Sequence, residues 1–248
     1  MTPIEVVNIK ILCIIPTLPN EIKMDTLKSI FSQTIPVTST LLLTERITEN
    51  LSFPAKISKI LNDMIEYVNI EKFDYILRVD ADAVLPPDFI EKNVASGNQA
   101  MGYGYAQLIE VKSFIKCMGG KFNPEHDDGY VIEKFKFCGV PASWDYVVKP
   151  TLKRQMGFHH GYKWFVDQGS LKFMYGWDPV SLGAYVLKKV SPYSFLEAYG
   201  YFYALFKRKK RFDVATKLMQ KNLRKYRSLN VKRFRKAGKS IAASLKTQ

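Results

Sequence analysis

The chain has 248 residues, 47% hydrophobic and 13% aromatic, which is enough for a packed core and excludes a wholly disordered protein. No apolar run reaches the roughly 18–20 residues of a membrane-spanning helix, and the N-terminus lacks the basic region of a secretory signal. The net charge of +14 is concentrated in residues 207–248, where sixteen Lys and Arg accompany one acid. That segment carries a net +15, so residues 1–206 carry −1.

The cysteines indicate the compartment. Cys13, Cys117 and Cys138 are scattered, odd in number and without the spacing of metal ligands. Such a set is typical of buried thiols in a reducing environment. We therefore expect a cytoplasmic protein.

The first third of the sequence alternates strands with helices. Residues 24–31 predict a helix capped by Asp25, and apolar residues recur at helical spacing over 57–68. The order strand, helix, strand, helix, strand predicts a mostly parallel, doubly wound sheet flanked by helices. Three apolar runs are typical of the buried strands of such a sheet: residues 8–15, 39–44 and 73–79.

Two carboxylates directly follow the third predicted strand. Asp80 and Asp82 stand one residue apart. In an extended chain they point to the same side, so their charges repel unless a cation lies between them or one is protonated. A solvated acidic turn is the simpler alternative. Parallel sheets bind ligands beyond the carboxyl ends of their strands, which favours a cation site here.

The second half is less regular. Residues 100–111 predict a strand of mixed exposure. Residues 119–139 predict a loop followed by a helix, which Asp127 or Asp128 caps.

The C-terminal part combines aromatic and basic residues. Residues 191–206 predict a helix with Ser191 as N-cap, apolar on nearly every side. The basic segment follows at once. Aromatic and basic residues favour membrane interfaces, so we expect residues 191–248 to bind an anionic membrane surface peripherally. The alternative is a helix packed on the domain and a solvated cationic tail.

Taken together, these motifs resemble the catalytic domain of glycosyltransferase family 2 over about residues 8–190. The resemblance implies the GT-A (nucleotide-diphospho-sugar transferase) fold in residues 1–190, with residues 191–248 as a separate helical tail. The matching segments are IIPTLPN (14–20), AKISKILNDMI (55–65), VDADAVLPPDFIE (79–91), GGKFNPEHDDGYVIEKFKFCG (119–139) and GFHHGYKWFVDQG (157–169).

The resemblance also implies roles for individual residues. Asp80 and Asp82 would hold Mn²⁺ or Mg²⁺, with His159 or His160 near the metal. Asp128 would be the catalytic base, and Asp127 is the alternative. The donor would be a UDP- or GDP-linked sugar and the acceptor a glycan or a lipid-linked molecule. The expected nucleotide-sugar contacts are Pro16, Thr17, Glu45, Lys56, Asn62 and Asp80. Glu45 is the candidate left where the family usually has an acidic turn, because this chain reads LLLTERITEN at residues 41–50.

Two other functions fit parts of the sequence. The DADAV segment also satisfies the motif of haloacid dehalogenase-type phosphatases, but that motif normally closes the first strand of its domain. The basic tail, with Tyr226 and Phe234 among its cations, suggests a nucleic-acid-binding protein. A nucleic-acid-binding function would leave Asp80 and Asp82 unexplained, and the sequence contains no recognisable nucleic-acid-binding motif. Nucleic acid is therefore not the expected partner.

Overall fold

A computed structural model describes residues 9–17, 22–43, 51, 53–152, 161–189 and 191–215. Glu45, His159 and His160 lie outside the described residues. The strands are β1 (Ile11–Pro16), β2 (Ser39–Leu43), β3 (Tyr75–Val79), β4 (Ala83–Val84), β5 (Ala100–Met101), β6 (Ala106–Glu110), β7 (Ala142–Ser143) and β8 (Thr151–Leu152).

Within the described residues, the main sheet has six strands in the order β2-β1-β3-β6-β5-β7. The β1–β2, β1–β3 and β5–β7 pairs are parallel, whereas β6 runs antiparallel to both β3 and β5. The expected mostly parallel sheet is confirmed. The strand expected over 100–111 is instead two buried strands, β5 and β6, separated by a loop. β2, at the end of the strand order, is half-buried rather than buried.

Both faces of the sheet are covered, which explains why its inner strands read as continuous apolar runs. Alternate residues of β1 and β3, such as Leu12 and Ile76, pack on one side, and their neighbours Cys13 and Leu77 pack on the other. Five helices accompany the sheet among the described residues: α1 (Met24–Phe31), α2 (Phe53–Glu66), α3 (Phe89–Ala95), α4 (Val111–Met118) and α5 (Asp127–Phe137).

Two local expectations differ from the structure. The N-cap of α1 is Lys23, and Asp25 lies within the first turn. The N-cap of α5 is His126, so Asp127 and Asp128 both occupy the first turn of that helix.

The chain divides into two compact units, residues 1–156 and 157–248. The expected boundary lay near residue 190. Three helices of the second unit are described: α6 (Gly161–Met174), α7 (Pro179–Lys189) and α8 (Pro192–Phe206). No helix in the described part of the chain is long and apolar enough to cross a membrane.

The packing of α6 on α8 explains why the second unit begins at residue 157, before α6. A Cβ atom added to Gly169 would lie 1.8 Å from the carbonyl oxygen of Glu197, and one added to Gly200 would lie 1.9 Å from that of Val166. Only glycine permits so close an approach of two helix backbones. The two helices therefore fold as one unit, although α6 belongs to the part expected to be catalytic.

Candidate functional site

Asp80 and Asp82 lie in a turn rather than in an extended strand. The backbone N–H of Ala83 donates to the carbonyl oxygen of Asp80 at 3.1 Å, which closes the turn immediately after β3. We call residues 80–83 the D-x-D turn. The sequence predicted an extended segment here, because an aspartate-alanine alternation does not distinguish a strand from a turn.

The D-x-D turn is pinned through its middle residue. The carbonyl oxygen of Ala81 accepts hydrogen bonds from the backbone N–H of Lys23 at 2.9 Å and from Oγ1 of Thr26 at 3.1 Å. Ala81 and Thr26 are both buried. The start of α1 therefore fixes the position of the turn, and with it the position of the Asp80 and Asp82 carboxylates relative to the end of β3.

A buried arginine lies beneath the carboxylates. Arg78 is 5% exposed, and its Nη2 atom lies 3.1 Å from Oδ1 of Asp80 and 3.1 Å from Oδ2 of Asp127. Its Nη1 donates to the carbonyl oxygen of Gly104. Burial alone would lower the pKa of Arg78, but Asp127 and then Asp80 raise it above its ordinary value. Arg78 is thus a permanent counterion shared by two carboxylates.

Sequence reasoning missed Arg78. A cation at the fourth position of the run YILRV, inside an otherwise apolar strand, was the available signal. A buried arginine is rarely found without a partner.

Asp80 remains accessible above Arg78, with 37% of its side chain exposed. Burial, followed by the charges of Asp127, Asp128 and Asp82, raises its pKa to about 6 against the opposing effect of Arg78. Solvent screens part of these interactions at so exposed a group. An added cation would relieve the carboxylate repulsion that Arg78 leaves uncompensated.

Asp127 is the buried member of the acidic pair at the start of α5. Its side chain is 7% exposed and lies against Arg78. Burial, together with the neighbouring charge of Asp128, raises its pKa although Arg78 lowers it. Asp127 thus reads as the partner that holds Arg78 in place.

Asp128 is held in its ionised form by several donors. Its carboxylate accepts hydrogen bonds from the backbone N–H groups of Gly104 and Gly129, and Oδ1 lies 3.2 Å from Nε2 of His126. Burial would raise its pKa, but His126, Arg78 and the two backbone donors together lower it. The helix N-terminus favours the same charge. With 17% of its side chain exposed, Asp128 can be reached from outside.

His126 reaches Asp128 because residue 129 is glycine. A Cβ atom at Gly129 would lie 2.3 Å from Cε1 of His126 and 2.9 Å from Cη2 of Trp144. The imidazole therefore occupies space that any other residue would fill. Nothing in the spacing of the sequence reveals this contact.

The loop before β6 carries aromatic rings to the same place. Gly102, at φ +88°, must be glycine because a Cβ would lie 2.1 Å from Cε1 of Tyr146. Tyr103 is 39% exposed and stacks on Tyr146 at a centroid distance of 6.3 Å, with Trp144 edge-on at 5.6 Å. Gln107 ties this loop to α5, because its Nε2 donates to the carbonyl oxygens of Gly102 and Asp128.

The other residues predicted to contact the nucleotide sugar lie elsewhere in the first unit. Pro16 ends β1, and the backbone N–H of the buried Thr17 donates to the carbonyl oxygen of Leu43 at 3.2 Å. Both therefore stand at the carboxyl end of β1, next to β3 in the sheet. Lys56 is half-buried near the start of α2.

Asn62 has a structural use that the sequence did not reveal. Its Nδ2 donates to the carbonyl oxygen of Phe122 at 3.0 Å, and its Oδ1 accepts from the N–H of the same residue at 2.7 Å. Ser58 binds the next carbonyl, that of Asn123, at 2.6 Å. The amide of Asn62 fixes the loop that leads into α5, and a contact with a nucleotide would require these bonds to open.

The carboxylate oxygens at the D-x-D turn suit a hard divalent cation as ligands. Two carboxylates on a pinned turn, one of them well exposed, offer the oxygen ligands that Mg²⁺ and Mn²⁺ prefer. Over the described residues, His, Cys, Asp and Glu side chains form no group of three that could hold a metal ion. Phosphate oxygens of a bound nucleotide commonly complete such a site.

Comparisons with known proteins identify the fold. No protein-family model matches the chain, and no curated protein matches its sequence. The structure is similar to that of the mannosyltransferase PcManGT from Pyrobaculum calidifontis in complex with GDP-Man and Mn2+, with a TM-score of 0.51 and 14% identity. The match covers 94% of this chain and 80% of that one. The chain therefore has a glycosyltransferase fold: a mixed α/β protein with a mostly parallel sheet flanked by helices.

Proposed function

We propose that the protein is a metal-dependent, inverting glycosyltransferase of family 2. It transfers a sugar from a UDP- or GDP-linked donor to a glycan or a lipid-linked acceptor. One observation carries the proposal: Asp80 of the D-x-D turn and Asp127 of α5 meet on the buried cation Arg78, each 3.1 Å from Nη2. That contact brings the candidate metal site and the first turn of α5, where the candidate base Asp128 follows Asp127, to one edge of the sheet, where such sheets bind ligands.

The donor half of the site is the D-x-D turn. Asp80 and Asp82 would hold the divalent cation, which when bound would supply Lewis-acid stabilisation of the negative charge on the diphosphate. Arg78 keeps the Asp80 carboxylate oriented in the absence of the cation. The similar mannosyltransferase was solved with GDP-Man and Mn2+, which supports the same pairing of donor and metal here. His159 and His160 remain predicted metal neighbours, and Glu45 and Lys56 remain predicted nucleotide contacts.

The acceptor half is built around Asp128. Its lowered pKa keeps it ionised at neutral pH, ready to accept the proton of the acceptor hydroxyl. The acceptor oxygen then forms its bond to the anomeric carbon as the bond from that carbon to the diphosphate breaks, and the configuration inverts. Asp127 is buried against Arg78, which makes it a positioning group in this scheme.

Aromatic rings beside Asp128 suit a sugar acceptor. Tyr103 presents an exposed ring, and Trp144 packs edge-on against it. The backbone N–H of Gly104, next to Tyr103, donates to Asp128, and Nε1 of Trp144 donates to Glu133 of α5. Sugar rings bind to such apolar faces, while their hydroxyl groups bind polar neighbours. We therefore assign the acceptor to the side of the site formed by Tyr103 and Trp144.

The alternative functions gain no support from the site. The phosphatase motif belongs after the first strand of its domain, whereas the D-x-D turn follows β3, and the side chain of Asp80 is engaged by Arg78. The expected late acidic pair of a phosphatase would be Asp127 and Asp128, whose contacts are to Arg78, His126 and backbone donors. A nucleic-acid-binding function leaves the arrangement of Asp80, Arg78 and Asp127 unexplained.

The proposal is tested by nucleotide-dependent stabilisation. Thermal unfolding is measured with UDP, GDP and their sugar conjugates, each with and without Mn²⁺. A ligand present at 100 times its dissociation constant stabilises by about 2.7 kcal/mol. We expect Asp82→Ala to remove the Mn²⁺-dependent part of this shift and to abolish transfer, with the apo protein still folded.

The matched control is Asp63→Ala, which removes a half-buried acid paired with Lys59 on α2. It should leave the nucleotide shift unchanged. Metal-dependent turnover that survives Asp82→Ala would overturn the assignment of the D-x-D turn.

A further inference from the structure

Helix α8 exposes the face that a surface helix normally buries. Its buried positions are small or polar, apart from Tyr201, while its solvent side carries large aromatic rings. A helix on a soluble protein shows the reverse pattern, with an apolar stripe inward and polar residues outward. The buried residues are Ser194, Glu197, Gly200, Tyr201 and Ala204. The exposed rings are Tyr193 (54%), Phe195 (61%), Tyr199 (62%), Phe202 (41%), Tyr203 (43%) and Phe206 (81%).

The orientation of α8 is fixed by its contact with α6. Gly200 faces the backbone of Val166, and Ser170 Oγ donates to the carbonyl oxygen of Gly200 at 3.1 Å. Glu197 forms an ion pair with Lys172 at 2.5 Å. Rotation of α8 to bury its aromatic side would break these contacts and place a ring against the backbone of α6.

Five of the exposed rings, all except Tyr193, form one continuous surface. Phe195, Tyr199, Phe202 and Phe206 follow one another at intervals of four, three and four residues, so they lie along one side of the helix. Tyr203 stacks beside Tyr199 at a centroid distance of 6.3 Å. We call these five residues the aromatic stripe of α8. An apolar surface of this kind marks an interaction site.

The aromatic stripe ends in a cluster of cations. Residues 207–211 read KRKKR and are all exposed, and Nζ of Lys207 lies 5.9 Å from the centroid of the Tyr203 ring. No acid lies among these five residues. A binding partner of this surface must therefore offer a thin apolar layer to the aromatic stripe and negative charge to residues 207–211.

We propose that the aromatic stripe and residues 207–211 bind the surface of an anionic lipid bilayer, with α8 lying in the headgroup region. Tyr and Phe rings favour that region, and Lys and Arg next to it contact anionic headgroups. A second copy of the chain fits less well, because the stripe of a second α8 offers no anion to residues 207–211: Glu197, the only acid of α8, is buried and paired with Lys172. The proposal stands on α8 and the residues after it, and it does not depend on the proposed sugar transfer.

The test is co-sedimentation of the full chain with vesicles. Vesicles of phosphatidylcholine alone are compared with vesicles that contain 30% phosphatidylglycerol, at about 0.1 M and 0.5 M salt. We expect binding to the anionic vesicles and at least tenfold weaker binding to the neutral ones, and the high salt should release most of the protein.

Two double variants separate the contributions of the two features. Phe202→Ser/Phe206→Ser removes apolar surface, and Lys209→Gln/Lys210→Gln removes charge. Each should weaken partitioning about tenfold or more, and only the charge variant should show a smaller salt dependence. All four positions are exposed, so far-UV circular dichroism should show an unchanged fold.

Matched controls use positions in the first unit. Tyr67→Ser removes a ring that is 77% exposed, and Lys112→Gln/Lys116→Gln removes two exposed cations of α4. Both should bind as the unmodified chain does. Equal binding to neutral and anionic vesicles, no binding, or full binding by the phenylalanine variant would overturn the proposal. A concentration-dependent dimer that Phe202→Ser/Phe206→Ser abolishes would assign the stripe to a second copy instead.

Discussion

Replacement of Arg78 by methionine tests whether this residue is the electrostatic centre of the site. Methionine keeps most of the length of the side chain but leaves Asp80, Asp127 and Asp128 without the cation between them. Removal of one member of a buried pair costs about 3–5 kcal/mol, because the other charge stays buried and uncompensated. Asp80 adds little to this cost, since it is 37% exposed and water screens it. The penalty falls mainly on Asp127, whose side chain is 7% exposed.

The penalty should depend on pH in a defined direction. The pKa of Asp127 is already raised in the folded protein and rises further without Arg78, so the folded state holds a proton that the unfolded state releases. A group of this kind stabilises the fold below its unfolded pKa, and that contribution is lost as pH rises through its folded pKa. Arg78→Met should therefore lose less stability at pH 5.5 than at pH 7.5, by up to about 1.4 kcal/mol per pH unit for one proton.

Urea unfolding followed by far-UV circular dichroism measures this effect at both pH values. Arg78→Met/Asp127→Asn should recover at least half of the loss at pH 7.5, because it removes the stranded charge. Lys121→Met breaks an exposed pair with Glu66 and should change stability by about 1 kcal/mol or less. A variant as stable as the unmodified protein at both pH values, or a loss that the double variant does not reduce, would refute the reasoning.

Three further changes address the base, its neighbour and the helix crossing. Asp128→Asn should lower kcat about 10²-fold or more, with nucleotide-dependent stabilisation nearly unchanged, and unaltered turnover would exclude Asp128 as the base. Gly129→Ala should displace His126 and move the acid limb of the kcat profile to higher pH, because Asp128 loses a donor that lowers its pKa; a profile that does not move would contradict this contact. Gly200→Ala should reduce the free energy of unfolding by about 1–3 kcal/mol or more, whereas Gly183→Ala, with nothing within 4 Å of the added Cβ, should raise it by up to about 1 kcal/mol. Equal effects of these two changes in urea unfolding would mean that α6 and α8 do not cross at Gly200.

Apolar runs and their order predicted the sheet well. The three predicted strands became β1, β2 and β3, and Asp80 and Asp82 stand where the pattern placed them, beyond the carboxyl end of β3. These features depend on local periodicity, which a sequence shows directly. The parallel arrangement follows from the same local information.

The contacts that organise the site depend on pairing across long stretches of chain. The counterion role of Arg78 requires α5 to place Asp127 above β3, and no local pattern reveals that arrangement. The clamp of Asn62 on Phe122 is hidden for the same reason. The sequence indicated chemistry at Asp80 and Asp128, but not the buried cation that brings their segments together.

The boundary between the units illustrates a second limit. Gly169 and Gly200 read as ordinary glycines in two separate helices, and only their close approach shows that α6 belongs with α8. A sequence pattern assigns residues to the faces of a helix, but it does not say which helix lies against each face.

The reversed direction of β6 has a consequence for how the site can diversify. In a fully parallel sheet, every segment at the carboxyl edge leaves a strand, but here residues 102–105 enter one, because Ala106 at the start of β6 pairs with Val79 at the end of β3. The proposed donor side is therefore made of strand exits, and the Tyr103 side of a strand entrance. The two sides are tied together, because the backbone N–H of Asp80 donates to the carbonyl oxygen of Tyr105 at 2.8 Å and Arg78 donates to that of Gly104. A change in the length of the entrance loop would therefore shift the D-x-D turn as well, so the two sides of the candidate site cannot vary independently.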